Sequence, residues 1–322
     1  MEKLDESHYQ YREVKELLGE EEFTNFLQFV ENNPNQPESI RINSLRYDVE
    51  EYKKLAQTYD VSFSPVQGNI KDAFYVSLPE KTRDWWNQER LLGKFYSQGN
   101  ASMIPPLYLF NEGDDFNSLK VFDMCAAPGS KTTQIGAMMK NKGLLVANDF
   151  KSHRLYSLHR NLQVFGIANA VVTQMDGRWL GKRWEKTFDR VLLDAPCSGT
   201  GSNRNNLFSN RNEEALVRFQ GKQKSLLASA IATLKDKESV LIYSTCSFLP
   251  IENELVIQPF IDKGLVEIEK ISLDGWKTQP GLTSWKEQEL SSQFKNALRI
   301  NPQDNDSDAF FIAKLKLVSE KQ

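Results

Sequence analysis

Apolar positions along this chain follow two different rhythms. From Asp5 to Val30, Tyr9, Val14, Leu17, Leu18, Phe23, Phe26, Leu27 and Val30 recur at helical spacing, in two pieces broken near Gly19, and Asn32-Asn33-Pro34-Asn35 ends the run. Residues 39–43 alternate like a strand, 48–59 carry a helical period, and 61–64 and 73–76 form two more short strands. Strand, helix, strand, strand at this length predicts a small α+β domain. Residues 93–110 look like a connector leading into a helix. Beyond it, strands at 119–124, 144–148, 170–173, 188–194 and 240–246 alternate with helices at 131–140, 152–165 and 212–234. The tail adds strands at 265–268 and 309–317. Repeated β-α predicts a mostly parallel, Rossmann-like sheet covered on both faces, with residues 310–316 closing it as an antiparallel edge. No internal repeat or low-complexity segment interrupts the series.

Chemistry gathers where these strands end. The apolar run Val191-Leu192-Leu193 suits a buried parallel strand and stops on Asp194-Ala195-Pro196-Cys197. Proline cannot continue a central strand, so the chain leaves the sheet at its carboxyl edge, where open α/β folds bind ligands. Ser198-Gly199-Thr200-Gly201 then permits a tight turn. A second apolar run, Val240 to Tyr243, ends in Ser244-Thr245-Cys246-Ser247. Two strands thus each deliver a cysteine to one edge.

The strand at 119–124 runs into Cys125-Ala126-Ala127-Pro128-Gly129-Ser130-Lys131-Thr132. Small residues there let backbone approach a ligand closely. This is not a P-loop: Ser130 stands where the second glycine belongs and Cys125 where the first would be. The Gly-x-Gly-x-x-Gly dinucleotide fingerprint is also absent. A nucleoside ligand without a pyrophosphate remains. Asp149, after the second strand, can accept both ribose hydroxyls, and Asp176, after the third, can bond an exocyclic amine. An aspartate at a strand end is also a common cap or turn residue. The ordered series Asp149, Asp176, Asp194, one per strand end, is harder to explain that way.

Composition narrows the classes. At 322 residues the chain has room for a full α/β domain and a smaller one, and its 40% hydrophobic content is ordinary. No apolar run approaches the ~20 residues that span a bilayer, and the charged N-terminus is not a secretory signal. Three cysteines without a Cys-x-x-Cys pair, and only three histidines, favour a reducing compartment and no metal. A net charge of −3 hides an uneven distribution. Residues 1–31 hold nine acidic and three basic side chains; residues 151–224 hold thirteen basic and six acidic, with Arg178, Lys182, Arg183 and Lys186 just before the Asp194 strand. That half is compatible with a polyanionic substrate, or with ordinary charge scatter.

The runs CAAPGSKTT, DAPCSGTG and YSTCS, in this order and spacing, closely resemble the Sun (Fmu) family of RNA cytosine-5 methyltransferases. The resemblance spans roughly Ser39 to Leu317. It includes Arg41-Ile42-Asn43-Ser44-Leu45, the connector with Gln98 and Ser102-Met103-Ile104-Pro105-Pro106, and Arg299, Pro302 and Phe310-Phe311-Ile312-Ala313 near the end. CAAPGSKTTQI and LHRNLQVFGIANAVVTQMDGR look most like the bacterial RsmF branch, which acts on small-subunit ribosomal RNA; MKNKGLLVAND also looks like nucleolar and archaeal members. Departures exist. Ser130 and Ala309 stand where glycine is common, Asp236-Lys237-Glu238 replaces a Pro-Gly-Gly turn, and Ser202-Asn203-Arg204-Asn205-Asn206 differs from the usual basic-Asp-Pro loop. The further RNA-binding domain of RsmF-like members is expected to be absent.

The resemblance implies a helical segment at 1–35, an RRM-like RNA-binding domain at 36–112 and a class I methyltransferase domain at 113–322 that uses S-adenosyl-L-methionine. Cys125, Ala126, Ala127, Pro128, Gly129, Ser130 and Lys131 would line the methionine and ribose end, with Arg154 in the same set. Asp149 would hold the ribose and Asp176 the adenine; Asp194 would face the reacting centre and belong to both the cofactor-lining and catalytic sets. Cytosine C5 is too poor a nucleophile to take a methyl group from a sulfonium unaided, and a thiolate adding at C6 makes it reactive. The family gives that role to Cys246, and to Cys197 the release of product. Asp194 would bond the N3/N4 edge, and Lys131 would orient the site. By analogy with DNA cytosine-5 methyltransferases, Pro-Cys at Cys197 would be the nucleophile instead; the family match argues against it. Cys125 lines the site or is simply buried structure, and Arg41 and Asn43 contribute to the site or stabilise the small domain. The expected partner is RNA, ribosomal first and transfer RNA second, with no membrane. The expected state is a cytoplasmic monomer, nucleolar if the source is eukaryotic. A non-catalytic RNA-binding assembly factor and a methyltransferase on DNA or protein are the competing classes.

Overall fold

The computed structural model describes residues 8–318 apart from 34, 69, 203–207 and 209–211, so Asn203 to Asn206 of the departing loop lie outside the described residues. Helix α1 (Tyr9–Asn32) kinks at Gly19, whose φ of 78° lies in the left-handed region open to glycine. Its apolar stripe of Val14, Phe23, Phe26 and Val30 packs on Phe208, Leu216, Phe248 and Leu249. The first helix therefore covers the segments that follow the two cysteines.

The small domain runs β1 (Ser39–Ile42), α2 (Val49–Gln57), β2 (Ser62–Pro65), β3 (Ala73–Ser77), α3 (Arg83–Leu91) and β4 (Phe95–Ser97). Asp48 caps α2 by accepting from the Glu51 amide at 2.9 Å. The strands form an antiparallel sheet in the order β2-β3-β1-β4, a split βαββαβ arrangement. Trp86 of α3 stacks on Phe95 of β4 at 4.0 Å, over Ile40, Ile42 and Tyr52. Residues 95–97, expected within a connector, are thus the fourth strand. Three residues are too short for a period-2 signal, and it is the packing of Trp86 that fixes them.

The large domain follows: β5 (Lys120–Asp123), α4 (Ser130–Met138), β6 (Leu144–Asn148), α5 (Ser152–Phe165), β7 (Ala170–Thr173), α6 (Leu180–Arg183), β8 (Arg190–Asp194), α7 (Glu213–Thr233), β9 (Val240–Thr245), α8 (Glu254–Asp262), β10 (Val266–Glu269), β11 (Thr278–Pro280), the two-residue strands β12 (Ser284–Trp285) and β13 (Gln288–Glu289), β14 (Leu298–Ile300) and β15 (Phe310–Leu317). The sheet order is β11-β14-β15-β9-β8-β5-β6-β7, and β5 through β9 are parallel. The fold is the Rossmann-like α/β class. Strand order reverses at β5, between β6 and β8, which opens a crevice at the carboxyl ends of those strands.

β15 pairs antiparallel with β9 but is not an edge. Its first residues pair with β14 and its last four with β10. The reason lies in its length and apolarity: eight residues, the first six buried, need cover on both flanks and can take two short strands end to end.

The two domains interlock. Arg41 of β1 donates to Thr133 Oγ1 at 2.8 Å and the Ser130 carbonyl at 3.2 Å, both on α4. Asn43 donates to the carbonyls of Gly93 and Phe165, and Gln98 to Gln134 Oε1. Arg41 and Asn43 therefore tie the small sheet to the helices that frame the crevice.

Candidate active site

β8 and β9 lie side by side in parallel register, Asp194 opposite Ser244, so the segments after them leave the sheet together. This brings Cys197 and Cys246 to 3.2 Å, sulfur to sulfur, both partly exposed. Asp194 accepts from Lys131 Nζ at 2.7 Å on one oxygen and from Ser244 Oγ at 2.7 Å on the other. Lys131, in the first turn of α4, also donates to Ser102 Oγ at 2.9 Å and sits 5.3 Å from the centre of the Phe310 ring. One carboxylate, one ammonium and two thiols thus converge from three parallel strand ends.

The two sulfurs are not equivalent. The Cys197 thiol is raised well above its ordinary range, first by its hydrogen bond to Cys246, then by burial and by the charges of Cys246 and Glu252. Either sulfur can supply the hydrogen between them, and the contact itself raises the Cys197 thiol. The Cys125 thiol is also pushed up, by burial and by the carboxylates of Asp123, Asp149 and Asp194. A thiol held protonated there is no nucleophile.

Around the β5 turn the predicted cofactor residues assemble. Asp149, 3% exposed, accepts from the amides of Ala127 at 3.3 Å and Lys151 at 2.9 Å and pairs with Arg154 at 3.1 Å. Arg154 also donates to the Ala127 carbonyl. Asn148, beside it, donates to the Met124 and Met175 carbonyls, so it holds the first and third strand ends in line. Ala126 and Ala127 are buried, Pro128 is exposed, and Gly129 turns into α4 at φ 108°. Asp176 differs from expectation. It caps the turn after β7 through the Arg178 amide and pairs with the Arg178 side chain at 2.5 Å, which lowers its pKa. Its carboxylate is engaged by a neighbour two residues on, and an adenine amine would have to share it.

Some relevant side chains were not singled out from sequence. Asp123, at the end of β5, is 1% exposed; one oxygen accepts from Thr132, and the other lacks a protein partner. Burial, with help from Asp194 and Asp149, raises its pKa to about 7. Ser102 sat within an expected connector, and Ser244 in a run read for its cysteine. The basic excess at 151–224 is partly spent internally: Arg190 is buried and pairs with Asp114 at 2.5 Å, and Arg178 is held by Asp176.

These features fit a sulfonium nucleoside carrying an amino acid. A buried aspartate oxygen without a protein donor, a buried carboxylate at the end of the next strand and a turn of small residues between them are the groups such a ligand needs.

Comparison with known proteins agrees. Residues 111–316 match the family described as 16S rRNA methyltransferase RsmB/F. The tRNA (cytosine(49)-C(5))-methyltransferase of Pyrococcus abyssi is 39% identical over 282 residues, 86% of this chain and 87% of that one. The ribosomal RNA small subunit methyltransferase F of Shewanella woodyi is 36% identical over 291 residues, and the chain spans 59% of its length. A solved methyltransferase homologue from Pyrococcus horikoshii superposes with a TM-score of 0.80 at 32% identity, covering 95% of this chain and 93% of its own. The chain belongs to the RsmB/F, or Sun, family of S-adenosylmethionine-dependent RNA cytosine-5 methyltransferases.

Proposed function

We propose that this protein converts cytosine to 5-methylcytosine in RNA through a covalent bond between Cys246 and C6 of the base. The observation that supports it is the convergence of Cys246, Cys197 and the Lys131–Asp194 pair at one carboxyl edge. When bound, S-adenosylmethionine supplies an electrophilic methyl group at the mouth of the β5 turn. Cys125 to Lys131, Asp149 and Arg154 are the residues that would hold it, and Asp176 would be the one to take the adenine amine.

Asp194 already accepts from Lys131 and Ser244, so its orientation is fixed before substrate arrives. As sulfur adds at C6, N3 takes a proton from water and returns it to water when the product forms; the remaining lone pairs of Asp194 accept that N3–H and N4–H of the cytosine, which favours the charge that builds on the ring. The Cys246 thiolate supplies the electron pair for the new S–C6 bond, and C5 becomes the nucleophilic carbon. Once C5 carries the methyl group, its proton passes to water, its electron pair re-forms the C5–C6 double bond and the S–C6 bond breaks toward sulfur. Cys197, 3.2 Å away, donates its thiol hydrogen to the departing sulfur and so assists release. The base must leave its stack to reach this edge, at roughly a few kcal/mol, least in a loop.

Small-subunit ribosomal RNA is the leading substrate, since the family model and the Shewanella relative are both named for it. Transfer RNA is the second reading, because the Pyrococcus abyssi relative matches over 87% of its own length. We place the small β1–β4 domain as an RNA-contacting module, with its RRM-like strand order as the support. The protein would act as a monomer in the cytoplasm. Incubation with radiolabelled S-adenosylmethionine and separate RNA, DNA and protein pools tests the class; label is expected in RNA alone. Bisulfite sequencing of RNA from a deletion strain then names the cytosine. Label in DNA or protein, or none at all, would overturn the proposal.

A further inference from the structure

The cysteine pair depends on a group two turns away. Glu252 follows Cys246 by six residues, in the short turn Pro250–Glu252, and is fully buried. A buried carboxylate is costly unless it is hydrogen-bonded on most of its lone pairs. Glu252 meets that need with neutral donors from both cysteine loops. Its Oε1 accepts from the Ser198 amide at 2.7 Å and from Gln223 Nε2 at 3.3 Å. Its Oε2 accepts from Ser198 Oγ and Ser247 Oγ, each at 2.6 Å. Ser198 is next to Cys197, and Ser247 is next to Cys246.

The neighbours complete the clamp. Gln223 also donates to the Pro196 carbonyl at 2.9 Å, so Cys197 is held from both sides. Asn253 accepts from Thr245 Oγ1 at 2.5 Å and donates to the Ser247 carbonyl at 2.9 Å, so Cys246 is bracketed likewise. Ser198 Oγ further meets Thr200 Oγ1, to which Gln10 of α1 donates at 2.8 Å. The polar chain thus runs from the first helix to the second cysteine loop, through a carboxylate that touches neither cofactor crevice nor solvent.

We propose that Glu252 is the positioning residue of the cysteine pair, a carboxylate that binds the Cys197 loop to the Cys246 loop and fixes the separation of their sulfurs. This rests on the covalent mechanism above only for its catalytic consequence. Its negative charge has a second effect: it adds to the forces that keep the Cys197 thiol protonated. Glu252 therefore both sets the distance and helps decide which sulfur carries the hydrogen.

The test is the pH dependence of alkylation of Cys197 and Cys246 by iodoacetamide, followed by mass spectrometry on the full chain, for wild type, Glu252→Gln and Glu252→Asp. Glu252→Gln removes the charge and forces an amide against donors. Its Cys197 profile is expected to move to lower pH, with alkylation at pH 8 roughly threefold or more faster. Glu252→Asp keeps the charge and is expected to retain the wild-type Cys197 profile more closely than Glu252→Gln does. Methyl transfer by Glu252→Gln is expected to fall about 100-fold in kcat, with S-adenosylmethionine affinity unchanged in calorimetry. Profiles of both cysteines identical to wild type in a folded Glu252→Gln protein would overturn the proposal. A shifted profile in a protein whose wild type methylates no RNA would instead overturn the function and leave the clamp standing. If Glu252→Gln does not fold, Ser247→Ala cuts the Glu252 link on the Cys246 side, along with that hydroxyl's longer contacts to the Leu249 amide and Ser198 Oγ, and leaves the Ser198–Glu252 bonds in place. Cys246 alkylation should then rise while Cys197 keeps its profile; an unchanged Cys246 rate would overturn the clamp.

Discussion

Cys197 and Cys246 carry the same functional group at one edge, and the proposed mechanism gives them opposite tasks. Cys197 lies between a hydrogen-bonding sulfur and the Glu252 charge and is driven to keep its proton. Replacing Cys246 by alanine should reduce methyl transfer to background in a filter-binding assay, since the proposed S–C6 bond needs that sulfur. Asp123 gives a residue-scale test that needs no substrate. Burial lifts its carboxyl to about 7, above the ~3.9 of an unfolded chain. The folded protein thus holds a proton the unfolded chain has lost between those values, so this contribution is full below the lower one and disappears as pH rises through the upper one. Asp123→Asn lacks that loss. Its melting temperature relative to wild type should be higher at pH 8 than at pH 5 in scanning fluorimetry without ligand; an equal offset at both contradicts the assignment. The cysteines and Asp194 were legible in sequence because proline and glycine force the chain out of the sheet beside them. Asp123, Ser244 and Glu252 were not, because a serine or a carboxylate is common everywhere. Their meaning comes from partners such as Ser198, 54 positions away from Glu252.

At the scale of elements, the turn from β5 into α4 is the most constrained piece of the crevice. Gly129 has φ 108°, and a Cβ there would lie 3.1 Å from Leu158 Cδ1 of α5. Gly129→Ala should cost about 1–2 kcal/mol of backbone strain, concentrated in the cofactor turn. Affinity for S-adenosylmethionine should fall roughly tenfold in calorimetry, and a wild-type affinity would contradict this. Strands β6 and β7 and helix α5 matched their sequence expectations to the residue, since each combines a clean apolar pattern with polar or glycine flanks. α3, β4, β11 and β14 escaped notice. The three strands have three residues each and become regular by pairing with neighbouring strands, while α3 is mostly polar and is fixed by the packing of Trp86 on Phe95.

On the scale of the whole molecule, the domains behave as one frame. Arg41 reaches from the small sheet into α4, and burial lowers its guanidinium to about 10, so its bonds to Thr133 and Ser130 offset a real desolvation cost. Arg41→Met should remove about 3 kcal/mol of coupling. It should split a single urea transition into two, the small sheet unfolding first; one unshifted transition would contradict the interlock. The sequence pattern revealed two units but not their join, because Arg41 and Asn43 point across 89 and 122 positions to the Ser130 and Phe165 carbonyls, which no side-chain pattern marks. The proposal for this frame is a division of labour between two sulfurs at one edge. The most direct measurement is a denaturing gel of wild type, Cys197→Ala and Cys246→Ala after incubation with RNA and S-adenosylmethionine. A protein–RNA band that survives denaturation in Cys197→Ala and is missing in Cys246→Ala is the predicted result. Such a band in Cys246→Ala, or normal turnover without one in Cys197→Ala, would contradict it.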